Sequence, residues 1–166
     1  MKKLIFVSAI LLGAMSVNAQ KSVDRLFQKY SDREGFTCIS ISGNLLNIAA
    51  RLENEDGKDR DIEARITEVR ILTAKDDNDE RINFHDEVLK GLDLSDYEEM
   101  MSVKESDQDM KMLVRTEGRK VKELLLLTGG EDNALIQVKG DMTLSDARKL
   151  CENAKKHHGV TILDVD

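Results

Sequence analysis

Between Asp109 and Leu150 three runs of strand-type residues, Met110 to Thr116, Val121 to Thr128 and Ala134 to Gly140, are joined by turns too short for a crossover, so the pattern predicts an antiparallel meander. The turn segments, Glu117-Gly118-Arg119-Lys120 and Gly129-Gly130-Glu131-Asp132-Asn133, hold residues that tolerate positive φ. Met110, Met112 and Val114 alternate with Lys111 and Arg115, and Ala134, Ile136 and Val138 alternate with Gln137 and Lys139, giving each outer strand one apolar and one wettable face. The middle run differs. Leu124-Leu125-Leu126-Leu127 is apolar on both faces, which suits the centre of a sheet and implies that part of the second face is also shielded.

Upstream, Val23, Leu26, Phe27 and Tyr30 fall at helical spacing, with Ser22 as N-cap and Gly35 beyond the end. Phe36 to Ser42 alternates as a strand, and Leu45, Leu46, Ile48, Ala49 and Leu52 predict a second helix before the solvated turn Glu53 to Gly57. Asp61 to Glu68 reads as a short helix leading into a strand from Val69 to Thr73, and Ile82, His85, Val88 and Leu89 trace a helical face that closes near Gly91. Tyr97 to Ser106 reads as a helical turn and then a strand, making the meander four strands long. After it, Thr143 with Asp146 approximates a capping box, and Leu144, Ala147, Leu150, Cys151 and Ala154 form one apolar stripe. Lys155, Lys156, His157 and His158 collect in its last turn, favourable at the negative end of the helix dipole, and Val160 to Val165 would add a closing strand. These elements predict an α+β fold, an antiparallel C-terminal meander with helices packed mainly on one face, with residues 20–166 as a single domain.

The N-terminus alters the picture. Lys2 and Lys3 precede an apolar run from Leu4 to Met15 and then Ser16-Val17-Asn18-Ala19, the pattern of a secretory signal peptide cleaved after Ala19. The run is shorter than the roughly 20 residues that span a bilayer, so the mature chain is expected to lack a membrane span and to be periplasmic or secreted. Removing residues 1–19 takes away two lysines and no acids, so the net charge of −7 becomes −9, with 23 basic against 32 acidic residues. That balance repels phosphate backbones and anionic lipid, and two Tyr, four Phe and no Trp leave little for stacking on bases, so nucleic acid is not an expected partner.

Candidate chemistry is sparse. Cys38 and Cys151 both lie in the exported part, where they could pair or serve as buried small hydrophobes; a bridge would add about 4 to 5 kcal/mol in the chain-entropy model. Asp76, Asn78 and Glu80 with Glu87 downstream imitate a calcium loop, yet Arg81 stands where its sharp bend needs Gly, and a solvated acidic loop before a helix explains the same residues. Adjacent His157 and His158 point about 100° apart on a helix, against a shared metal. Gly129-Gly130 lacks a following Lys-Ser/Thr for a phosphate loop, and Ser40 and Ser42 have no Gly-x-Ser-x-Gly context. Met100, Met101, Met110 and Met112 suit a core, or a flexible surface that receives a partner. No catalytic residue and no cofactor is predicted.

The run Val121-Lys122-Glu123-Leu124-Leu125-Leu126-Leu127, then Gly129-Gly130-Glu131-Asp132-Asn133 and Ile136-Gln137-Val138-Lys139-Gly140-Asp141, resembles the exported bacterial domain-of-unknown-function family numbered 4252. Phe27-Gln28-Lys29-Tyr30 and Ile39-Ser40-Ile41-Ser42 are similar to that family's opening. The resemblance implies a small envelope or secreted protein of Gram-negative bacteria, often lipid-attached in relatives, with no catalytic residues to carry over. No cysteine follows the apolar run here, so lipid attachment is not expected. The leading expectation is a non-enzymatic protein that binds another envelope protein or itself; a hydrolase with a scattered site and a small-ligand or calcium carrier are the alternatives.

Overall fold

The four leucines of the central run decide the architecture. In the computed structural model, which describes residues 18–46, 48, 65–74, 82–91, 93–106, 108–130 and 133–157, each is at most 4 % exposed. They divide by strand alternation between two separate cores: Leu125 and Leu127 face one side, Leu124 and Leu126 the other. A strand that is apolar on both faces can be buried only inside a layered structure, and the chain builds one around it.

The elements in chain order are α1 (Asn18–Tyr30), β1 (Phe36–Ser42), β2 (Ile66–Ala74), α2 (Phe84–Gly91), a single 3-10 turn (Leu94–Asp96), β3 (Glu98–Lys104), β4 (Gln108–Glu117), β5 (Lys120–Gly130), β6 (Ala134–Met142) and α3 (Leu144–His157). All six strands form one antiparallel sheet in the order β1-β2-β6-β5-β4-β3. The four-strand meander is therefore present, and β2 adds beside β6 so that the N-terminal hairpin extends the same sheet. Gly118, with φ +60°, turns β4 into β5.

On the first face Val23, Phe27 and Tyr30 of α1 and Phe84 and Val88 of α2 pack with Phe36, Leu72, Leu113, Leu125, Leu127 and Leu135. Tyr30, Phe36 and Phe84 meet as an aromatic trio with ring centroids 4.6 to 6.1 Å apart. On the second face Ala147 and Cys151 of α3 pack with Met110, Met112, Val114, Val121, Leu124, Leu126, Val138 and Met142. The sequence expectation placed the helices mainly on one face; α1 and α2 share a face and α3 covers the opposite one. The capping box at its start is real, with the Thr143 amide donating to Asp146 Oδ2 at 2.7 Å and the Asp146 amide donating to Thr143 Oγ1 at 3.2 Å.

Several details depart from the sequence reading. Helix α1 begins at Asn18 and runs through Ser22 rather than being capped there. Ile66 to Glu68 is strand, not the end of a helix: Ile66 and Thr67 are β-branched, and Ile66 pairs with Gly140 and Glu68 with Lys139 of β6. A register shift between Ile66 and Glu68 then reverses the alternation, so Ile66 and Leu72 bury on opposite faces although six positions apart. Gly129 and Gly130, expected in the turn, complete β5 opposite Asp109 and Gln108. Leu144, expected in the apolar stripe of α3, is 52 % exposed. The second helix is described only at its start, residues 43–46 and 48, and the closing strand at 160–165 lies outside the described residues, as does His158.

The β2–β6 contact is close enough to exclude a methyl group. A Cβ on Gly140 would stand 2.1 Å from the Arg65 carbonyl oxygen, whereas one on Gly91, at the end of α2, meets nothing within 4 Å. Gly140→Ala is therefore expected to lower stability by about 1–3 kcal/mol, as overpacking does, while Gly91→Ala leaves it unchanged or raises it by up to about 1 kcal/mol. Urea unfolding of the two variants beside the parent chain gives both numbers.

Candidate functional site

Towards one end of the first face the apolar core gives way to charge. Glu123 of β5 is fully buried between Arg115 of β4, whose Nε and Nη2 donate to its Oε2 at 3.1 and 2.9 Å, and Gln137 of β6, whose amide nitrogen donates to its Oε1. The Gln137 carbonyl oxygen accepts from Arg70 of β2, at 2.7 Å from Nε, and the Arg70 guanidinium also donates to Asp24 of α1. Lys139 lies 3.5 Å from Asp24 and 3.3 Å from Glu68. Donor and acceptor alternate along this seam, which joins four adjacent strands and a helix with three cations, Arg70, Arg115 and Lys139, against three carboxylates, Asp24, Glu68 and Glu123. Arg70 also stacks its guanidinium 4.3 Å from the centroid of the Phe27 ring.

Tyr97 closes one end of the seam. Its hydroxyl is buried and, among the described residues, has no hydrogen-bond partner. Burial first, and then the negative charge of Glu123, push its pKa far above the ordinary phenol value, so it stays protonated. Burial alone would lower the Arg115 pKa, but Glu123 more than reverses that and holds it above its usual value. The seam is thus a charge-balanced lattice in which each ion is engaged; it holds no nucleophile beside an unengaged base.

A second polar contact clasps the two helices on this face. The Tyr30 hydroxyl donates to both Glu87 oxygens at 2.8 and 3.0 Å, and the Lys29 ammonium donates to Oε1 at 2.7 Å. Burial works to raise the Glu87 carboxyl, and the hydrogen bonds from Lys29 and Tyr30 outweigh it and hold the group below the ordinary carboxylate range. Glu87 also lines a shallow open groove of about 510 Å³ with Ile82, Asn83, Asp86, Lys90 and Gly91.

The residues singled out in the sequence separate in space. Asp76, Asn78 and Glu80 of the calcium-like loop lie outside the described residues, and Glu87 is committed to Lys29 and Tyr30. Among the described residues no group of three His, Cys, Asp or Glu side chains is placed to hold a metal ion. Cys38 packs on the first face and Cys151 in the core of the second, so the sheet stands between them and no disulfide joins them. Cys151 instead places its sulfur 3.4 Å from that of Met101. Met110 and Met112 are each 1 % exposed, filling the second core. Ser40 and Ser42 are exposed on β1, with no His near them in sequence or pairing.

What sequence reasoning missed is the contrast between the two sheet edges. β3 carries Glu98, Glu99 and Lys104 and a register shift between Glu99 and Met101, both devices that discourage another strand from docking. β1 reads Phe-Thr-Cys-Ile-Ser-Ile-Ser, seven residues without a charge or a proline, and among the described residues it pairs only with β2. Of the four large apolar side chains exposed among the described residues, three, Ile39, Leu45 and Ile48, follow one another from the middle of this strand onward. Ile39 also ends a ladder row that is apolar across all six strands, Ile39-Ile71-Ile136-Leu126-Met112-Met101. The row is buried under α3 at Leu126 and Met112 and reaches 44 % exposure at Ile39. The signal was present in the sequence, but only the strand order reveals which uncharged strand is an edge.

Fold and site together define an α+β protein on a single antiparallel sheet with one guarded and one neutral edge. Residues 30–150 match the family model described as Domain of unknown function (DUF4252), and the chain belongs to that family. The matched span takes in all six strands. No curated protein and no solved structure matches the chain. Among the described residues no helix is long and apolar enough to cross a membrane.

Two outcomes test the polar contacts. Glu123→Leu strands the Arg115 and Gln137 donors and is expected to cost about 3–5 kcal/mol, as loss of one member of a buried pair does, with much of the loss recovered in the Glu123→Leu/Arg115→Met double variant; a urea-unfolding cycle measures the coupling. Because the Glu87 pKa is depressed on folding, its contribution is complete above the unfolded value of 4.5 and is lost as pH falls through the lower folded value. Glu87→Gln should therefore flatten the acid limb of a Tm-against-pH curve below about pH 4.5 and leave the curve above pH 6 parallel to the parent.

Proposed function

We propose that this chain is an exported, non-enzymatic accessory protein of the Gram-negative envelope, periplasmic or secreted, that acts by binding another protein along the β1 edge. The observation that carries the reading is the asymmetry of the sheet: β3 is charged and irregular, whereas β1 is neutral, regular and tipped with an exposed Ile39. An extended segment added to such an edge gains main-chain hydrogen bonds along its length and side-chain contacts at alternate positions. Support for export comes from Lys2-Lys3, the apolar run to Met15 and Val17-Asn18-Ala19 before Gln20. The acidic balance of the chain supports a protein partner over nucleic acid or anionic lipid.

Expression of the full-length sequence in a Gram-negative host, followed by fractionation and N-terminal sequencing, is expected to recover a chain beginning at Gln20 outside the cytoplasm. Envelope protein captured by that chain should be lost with Ile39→Lys, on the neutral edge, and retained with Ser102→Lys, on the guarded one. Equal capture by both variants would remove β1 from the reading.

A further inference from the structure

We infer that the occupant of the β1 edge is a second copy of this chain, paired antiparallel through β1 about a twofold axis at Ile39. The inference rests on the protein-binding reading above and names its partner. Ile39 is the central residue of the seven in β1, so a twofold register sets Phe36 opposite Ser42, Thr37 opposite Ile41, Cys38 opposite Ser40 and Ile39 opposite itself. Each pair joins residues suited to a strand, and Thr37, Ile39 and Ile41 share the sheet face that carries the exposed apolar row.

Charge selects this partner. The full sequence carries a net −7, and −9 without residues 1–19, so two copies repel over most of their surface, and β1 is a stretch where they can meet without setting like charges opposite each other. The guarded edge is less suited, because the register shift between Glu99 and Met101 breaks the regular ladder that a second strand would extend. Across the β1 dyad, by contrast, the row from Met101 to Ile39 runs on into the second copy, and the half-exposed Ile39 side chains cover one another. Seven residues are a short contact, so the pairing is a concentration-dependent monomer–dimer equilibrium rather than an obligate assembly.

The test is sedimentation equilibrium or light scattering over a concentration series, using the chain purified after full-length expression. The parent chain is expected to rise toward twice the monomer mass as concentration increases. Ile39→Lys sets two ammonium groups opposite each other at the dyad and should hold the chain as a monomer, with circular dichroism and Tm at low concentration matching the parent. Ser102→Lys should dimerise as the parent does. A further variant fixes the register: Ile39→Cys in a Cys38→Ser background should oxidise to a covalent dimer, since directly opposed antiparallel residues have Cα atoms about 4.5–5.5 Å apart, within disulfide reach. Cys38→Ser alone should form none. A parent chain that stays monomeric at every concentration, an Ile39→Lys variant that dimerises, or failure of the position-39 crosslink each overturns the inference. If the chain is monomeric while Ile39→Lys still abolishes capture of an envelope protein, self-pairing falls and the protein-binding reading stands; if Ile39→Lys changes neither, both fall.

Discussion

The structure depends on the fact that successive residues of a strand face opposite ways while β5 is apolar at both kinds of position. Leu124 and Leu126 demand a cover on one side of the sheet, Leu125 and Leu127 on the other, and each fully buried leucine contributes about 1.5–3 kcal/mol only if that cover exists. The central strand thereby fixes the number of layers. α3 supplies one cover and α1 with α2 the other, so the protein has two cores of different make: a methionine-rich one under α3 and an aromatic one under α1 and α2. The difference follows from what each must fill. Tyr30, Phe36 and Phe84 fill the space where two helices meet the sheet, whereas flexible methionines fill the second core, against which α3 and, from the helical segment after β1, Leu46 pack.

Where the aromatic core ends, the same face is completed by ions. A fully buried carboxylate costs several kcal/mol in desolvation, and Glu123 is tolerated because Arg115 meets one oxygen with two donors and Gln137 meets the other. The glutamine is more than a filler: its amide accepts from Arg70 on one side and donates to Glu123 on the other, transmitting polarity across β6 without adding charge. The seam then ends on Asp24, which lies on α1. Leucines would let α1 slide along the sheet at modest cost; the Arg70 contact and the stacking of Arg70 on Phe27 bind the helix at one register. Together with the Glu87 clasp at the other end of α1, they place the helix by two directional contacts on an otherwise non-directional core.

Much of this order was legible in the residues. The meander, its turns and the boundaries of β1 follow from alternation and from Gly118, and the capping box of α3 from Thr143 and Asp146, because each is a local property of the chain. The misreadings have one origin: they concern what only non-local pairing decides. Ile66 stands at helical spacing from Ile62 and also, with Thr67, at the β-branched head of the strand, and β6 as a neighbour selects the strand. Arg115 and Gln137 lie on the wettable faces of β4 and β6, and they are polar because Glu123 of the intervening strand needs partners, which no single strand discloses.

The sheet order also determines how its edges are to be understood. A neutral strand is unremarkable in the interior and consequential at the rim, where its outward N–H and C=O groups offer a template for pairing. The chain had charge to spend beside β1: Ser40 pairs with Arg70 and Ser42 with Glu68, one strand inward. Those ions serve the seam, and the edge positions next to them are serines. β1 is uncharged along all seven residues, whereas β3, at the opposite end of the sheet, carries three charges and a register shift. It is on this asymmetry that the proposed contact rests.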